Sequence, residues 1–408
     1  MIKNNTRMEL SYITLYFVTT IISLIQTIGN KKFPGELYRE IRMISDFEVF
    51  AISFFNLVGF VLCYLLYKVF VKFRVRASIG VKYNFRRLSW LLSVILVLQI
   101  SFLMATGVGR VTFGEPATSP YSTLFALIKP DPFVFLYFLI IRNKKDFSYT
   151  SENHFSLNII FYCLLKLLQG WSSFFFIFFV LECCVRFRHS KYFGRKMVML
   201  IPLTVIFIGG LVYQQIFVLK NQIRGNNSMQ NISYFQAVEH LSSRLSMNAT
   251  SLGAYQNTDK IVSLYKAEEL DFKESKALLR PLIPSKFMDK EFRNLNNNIM
   301  HSYTPTLTAG TSSDFGFAMY YYILYKSSKF DFITSILLTM SLIAFAKIYF
   351  DTMSNGTPIL DFLFFLILFK FTYTVSLENV IGQGFVPYLY LTVFMWLFGG
   401  VKFIRTRK

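Results

Sequence analysis

Charged residues are scarce in this chain, 16% of 408, where soluble domains carry about 25%. With 53% hydrophobic and 18% aromatic residues beside that shortage, an ordinary soluble domain is excluded and a polytopic membrane protein is expected. Cysteine is rarer still: Cys63, Cys163, Cys183 and Cys184 all lie in or beside apolar runs. No disulfide therefore staples a polar segment, and no Cys/His spacing suits a metal. Also missing are a glycine-rich phosphate loop, an HExxH pattern and a carboxylate cluster suited to a tightly held divalent ion. Metal-independent chemistry with no cofactor is the simpler expectation. No internal repeat is present, and with it goes the inverted-repeat signature of many secondary transporters. The first apolar run lacks a small-residue cleavage site, so Lys3 and Arg7 lead into a retained helix rather than a signal peptide.

The chain does hold a large excess of positive charge, a formal +20. Its clusters sit beside apolar runs, so positive-inside topology and anionic lipid headgroups explain it, and no nucleic-acid partner is expected. A spanning helix needs about twenty apolar residues. Candidates are residues 10–29, 47–70, 88–106, 197–219, 332–350, 359–377 and 385–400. Two further runs are irregular. Residues 122–141 are broken by Lys129-Pro130-Asp131-Pro132, a break tolerated at membrane depth only against protein or a water-filled cavity. Residues 157–185 are flanked by basic residues on both sides, which favours a split or re-entrant hairpin turning near Gln169-Gly170-Trp171, with Lys166 facing inward. Lys68, Lys72, Arg74, Arg76, Lys82, Arg86 and Arg87 form a loop without an acid, which belongs in the cytoplasm. Lys402, Arg405, Arg407 and Lys408 belong on the same side. The expected fold is an all-α polytopic membrane protein of about ten segments: an N-terminal bundle over 1–219, a large, partly helical outer loop over 220–315, and C-terminal helices over 316–408. Within the loop, helices are expected over 234–247 and 258–279, with a turn marked by Asn294 and Asn296 to Asn298.

The loop and its rim carry Arg224, Arg244, Arg280 and Arg293, facing Arg110 and Lys129. Arginine presents a planar fork of donors that matches phosphate bidentately. The bland reading is that these arginines are solvated or pair with Glu239, Glu268, Glu269 or Asp271. Lys129, Asp131 and Lys166 lie at membrane depth, where ionisable groups face cavities and serve function by default. Lys129 and Asp131 could equally neutralise each other. Candidate bases are His301, Asp314, Glu239 and His240. Glu36, Glu40 and Asp46, interleaved with basic residues, read as an ordinary solvated connector.

The layout, together with Thr106-Gly107-Val108-Gly109-Arg110, Gln169-Gly170-Trp171-Ser172, Ser243-Arg244-Leu245-Ser246 and the Gly310-Thr311 segment leading to Gly316 and Tyr320-Tyr321-Tyr322, resembles the Wzy family of bacterial O-antigen polymerases. The resemblance implies a GT-C-like fold and an inverting, metal-independent glycosyltransferase at the periplasmic face of the inner membrane. The donor would be the growing glycan on undecaprenyl pyrophosphate, and the acceptor a lipid-linked repeat unit. Arg110 and Arg244 would match the family's pyrophosphate-holding arginines, His301 would stand where the related O-antigen ligases place a His-centred motif before a late helix, and a chain-length regulator becomes a candidate partner. An O-antigen ligase is the rival within enzymes. A flippase or transporter is the rival outside them, but it gives no reason for a hundred-residue outer loop. A eukaryotic multi-pass protein is a third reading, raised by sequons at Asn226, Asn231 and Asn248.

Overall fold

The computed structural model describes residues 7–30, 45–74, 79–110, 117, 119–121, 129–143, 149–171, 173–188, 195–223, 232–268, 272–280, 287, 292–304, 313–375 and 384–405. Apolar runs fold as helices because every backbone group must be bonded internally once water is excluded. Five described helices are long and apolar enough to cross a membrane: Arg7–Gly29, Asp46–Lys72, Phe85–Thr106, Val198–Val218 and Lys329–Met353. Their full extents give α1 (Arg7–Asn30), α2 (Asp46–Lys72) and α3 (Phe85–Thr106). Local chemistry sets the ends. Ser45 and Glu48 close a capping box at the start of α2, Asn84 caps α3, and Gly107 at φ +72 ends it.

Helix α4 (Pro130–Arg142) begins at the expected break, with its prolines in the first turn, where no intrahelical N–H is needed. The run at 157–185 is two helices, α5 (Tyr149–Leu168) and α6 (Ser173–Arg188), joined at the expected turn, where Gly170 has φ +81. Its legs, of 20 and 16 residues, reach beyond the apolar run at both ends. Helix α7 (Arg195–Ile223) follows and leads to the loop.

The loop's described part is an ordered helical cap: α8 (Tyr234–Leu245), α9 (Asn248–Gln256), α10 (Thr258–Ala267), α11 (Lys273–Leu279) and α12 (Leu295–Tyr303). Two expectations are corrected here. The helix expected over 258–279 is two, broken by Phe272 at φ +58. The break lets Lys273 and Glu274 turn inward, where both are buried. The asparagines expected to form a turn instead start a helix: Asn294 caps α12 in a capping box with Asn297, and Asn296 to Asn298 are buried in its first turn. Asparagine is as good an N-cap as a turn former.

Beyond the cap lie α13 (Phe317–Ser327), α14 (Lys329–Met353), a short 3-10 turn (Pro358–Leu360), α15 (Asp361–Phe369), a π turn (Lys370–Thr374) and α16 (Val386–Leu397). The segment at 359–377 is thus not one regular helix. An unexpected two-stranded sheet pairs β1 (Ile79–Tyr83) antiparallel with β2 (Val401–Arg405), Lys82 opposite Lys402. The basic loop and the C-terminal tail therefore share one end of the bundle. Arg74 fastens that end, bonding Asp351 at 3.1 Å and Asp361, while Lys347 reaches Asp351 at 2.5 Å.

The cap is docked on the opposite end through a buried polar seam. Asn56 of α2 donates to Asn248 (3.2 Å) and to the Ser251 hydroxyl (3.1 Å), Asn248 donates to the Thr20 carbonyl (3.0 Å), and Ser251 donates to the Phe315 carbonyl (2.9 Å). Asn248 is buried, so its sequon is no glycan acceptor in the folded chain. Asn226 and Asn231 lie outside the described residues. Lower in the cap, Tyr265 donates to Asp331 at 2.5 Å, Tyr320 donates to Glu274, and the Leu295 N–H donates to Glu274 at 2.7 Å. Burial, with Glu274 and Asp331 close by, pushes the Tyr265 phenol far above its usual range, so it stays a donor.

Candidate functional site

A cavity of about 530 Å³ opens where α3, α4, α5 and α6 meet, at their ends away from the sheet. Gln99, Phe102 and Leu103 enter it from one face of α3, as positions i, i+3 and i+4 must. Tyr162 and Lys166, four apart on α5, line another wall, and Gln169 and Trp171 come from the turn that follows. Asp131 sits in the first turn of α4, where the helix dipole favours a negative charge. Lys166 bridges Asp131 at 2.7 Å, and the Tyr162 hydroxyl donates to the same carboxylate. Asp131 thus pairs with Lys166, not with Lys129 as the bland reading had it. Among the described residues Lys129 makes no ion pair, and its ammonium lines the cavity.

The third cation is Lys370. It opens the π turn, is exposed while Phe369, Phe371 and Tyr373 beside it are buried, and lines the cavity. It also lines a second cavity of about 200 Å³, walled by Tyr12, Tyr16, Phe362, Phe369 and Tyr388. Asp131, Phe135, Ile177 and Lys370 belong to both cavities. Lys370 feels the charges of Asp314 in the cap segment, of Asp131 and of Lys129. The turn that carries it is irregular. Val375 closes it at φ +48, a conformation that costs a β-branched residue of order 1–3 kcal/mol. π turns occur disproportionately at functional sites. Three ammonium groups against one carboxylate, next to an aromatic-walled apolar space, are chemically suited to an anion attached to an apolar chain.

The other sequence candidates fall elsewhere. Arg110 follows the cavity-lining Gly109 and is half-buried, with its Nε bonded to nothing among the described residues. Arg280 donates to the Phe292 carbonyl at 2.8 Å, and its guanidinium lies 4.1 Å from that ring's centroid, so it fastens the cap. Arg293 offers Glu268 its backbone N–H, at 3.2 Å. Arg224 and the side chain of Arg244 lie outside the described residues, although Leu245 next to Arg244 accepts a bond from Tyr373 at 3.1 Å. His301 is 2% exposed, and both its ring nitrogens lack a partner among the described residues. Like Asp314, it lines neither cavity. Asp314 is half-buried and accepts a long 3.5 Å bond from Asn296. Of the predicted residues, then, Lys129 lines the cavity with Lys370, Asp314 acts on Lys370 only through its charge, and no arginine with a described side chain lines the cavity. Lys370 was missed, yet its signal was legible: it is the lone cation inside the apolar run at 359–377.

No family model, curated protein or solved structure matches the chain.

Proposed function

We propose that the protein is an O-antigen polymerase of the Wzy type, embedded in a bacterial inner membrane by about ten segments with its cap in the periplasm. The observation that carries this reading is the continuity of the lysine-lined cavity with the aromatic apolar one, under an ordered cap. An undecaprenyl pyrophosphate has these two halves. In this reading Lys129 and Lys370 hold the pyrophosphate, and the tail runs past Tyr12, Tyr16 and Tyr388. A hydroxyl of the lipid-linked repeat unit attacks the anomeric carbon of the growing glycan from the face opposite the pyrophosphate. The carbon–oxygen bond to pyrophosphate breaks, and the charge that develops on the leaving oxygen is stabilised by preorganised ammonium groups. The acceptor's proton passes to Asp314, which we favour over His301 because it lies within electrostatic reach of Lys370.

The test is turnover by the purified protein on a lipid-linked repeat unit, with release of undecaprenyl pyrophosphate measured. Lys370→Gln is expected to lower the rate by about 10²-fold or more at unchanged expression, and Lys370→Arg to retain part of it. Full activity in Lys370→Gln contradicts the assignment. Transfer only to a lipid A core would indicate a ligase, and translocation without bond formation a flippase.

A further inference from the structure

The end opposite the cap carries positive charge that no described carboxylate neutralises. Among the described residues, each carboxylate at that end already has a partner. Asp351 and Asp361 serve Arg74 and Lys347, Glu182 binds Arg142 and Arg186, and Glu9 accepts from Tyr67. Lys82, Arg86, Arg87, Lys402 and Arg405 make no ion pair there, and all five are exposed. Two of them oppose each other directly: the β1–β2 register sets Lys82 across from Lys402, a like-charge pair that disfavours strand pairing. The sheet nevertheless forms, held by Asn355. Its side chain accepts from the Val81 N–H (2.6 Å) and donates to the Val81 carbonyl (2.9 Å). Arg87 is seated as well, because its guanidinium packs on Gly399, and the Asn84 N–H donates to the Gly400 carbonyl at 2.8 Å. The cluster therefore has a fixed arrangement, spread over a sheet and the start of α3.

Apolar side chains lie on both faces of this sheet: Ile404 shares the face of Lys82 and Lys402, while Ile79 and Phe403 share the face of Arg405. Ile79, Phe403 and Ile404 are 45–49% exposed, and Trp90, one turn along α3 from Arg86 and Arg87, is 60% exposed. A soluble phosphate compound gives no reason for that exposure. A lipid interface does, since indole rings and basic residues favour headgroup depth.

We propose that this face is a binding site for the headgroup of an anionic phospholipid in the leaflet opposite the cap, with the phosphate between Lys82 and Lys402. The phosphate, shared by the two opposed lysines, offsets their mutual repulsion and clamps the basic loop to the C-terminal tail. The proposal stands apart from the transferase reading, because it concerns the other end of the bundle. The experiment uses full-length protein in nanodiscs of phosphatidylcholine, with or without phosphatidylglycerol. The lipid retained on purification is counted by mass spectrometry, and thermal stability is measured. Phosphatidylglycerol is expected to be enriched and stabilising, with enrichment falling about fivefold for each lysine neutralised in Lys82→Gln and Lys402→Gln and kept in Lys82→Arg and Lys402→Arg. Unchanged enrichment in the double glutamine variant overturns the proposal. So does stabilisation by soluble glycerol phosphate equal to that by the lipid, which would mean a simple anion site. If the double variant does not fold, the native chain still decides: stabilisation by phosphatidylglycerol that high salt removes supports the site, and equal stability in both nanodiscs rejects it.

Discussion

At the scale of single residues, Lys370 differs from the cap arginines in where its charge sits. Two unit charges 4 Å apart are worth about 1 kcal/mol in water and about 4 kcal/mol at an effective dielectric near 20. A cation that lines a cavity, as Lys370 does, therefore acts more strongly on a phosphate that fills the cavity and displaces its water than one on a wet rim. Arg280 is the contrasting case, since its fork is engaged by Phe292. Arg280→Ala is expected to destabilise the cap by about 1–3 kcal/mol, seen as earlier thermal unfolding, while turnover per folded molecule is kept. A hundredfold loss of turnover without a change in melting would return Arg280 to the site. The sequence showed which residue types could meet a phosphate. It did not show which would meet, because arginines more than a hundred residues apart are brought together, or kept apart, only by how the cap docks.

At the scale of elements, the cap is fastened by backbone conformation as much as by side chains. Gly316, at φ +77, lies where an added Cβ would stand 2.6 Å from Asn56 Oδ1 and 2.8 Å from Ser251 Oγ. Gly316→Ala is thus expected to cost about 1–3 kcal/mol in backbone strain and to disturb the seam through Asn56. The check is the melting temperature in detergent and the rate of protease cleavage within the cap. Unaltered values would mean that the seam does not hold the cap. Long apolar runs were legible as helices within a few residues, as were the Pro130 break and the Gly170 turn, because periodicity and proline or glycine chemistry are local. The break at Phe272 was not legible, since Glu274 is held by Tyr320 of α13, far along the chain, and Lys273 folds back on Tyr265 and Glu268. Nor was the sheet, whose strands are more than three hundred residues apart and stand between charged neighbours. The π turn shows the same limit: 359–377 is apolar enough for an ordinary helix, and only the close approach of α2 marks it. An added Cβ on Gly59 would lie 2.9 Å from the Thr372 carbonyl.

At the scale of the whole molecule, the two ends are chemically distinct. One joins the basic loop to the basic tail through a sheet, and the other carries a polar helical cap above a cationic cavity. Arg74, at the sheet end, binds Asp361, and Lys370 lies nine residues further along the segment, about 13 Å at 1.5 Å per residue. That spacing sets the cation away from the sheet end, and it lines the cavity on the cap side. A lipid-linked substrate entering there would keep its tail in the apolar space and present its glycan to the cap. The most direct measurement is the lipopolysaccharide ladder of a host lacking this gene, resolved by gel, with the gene restored as wild type or as Lys370→Gln. The polymerase reading predicts core bearing a single repeat unit in the null and in Lys370→Gln, and a full ladder with the wild type. A ladder unchanged by loss of the gene would contradict it.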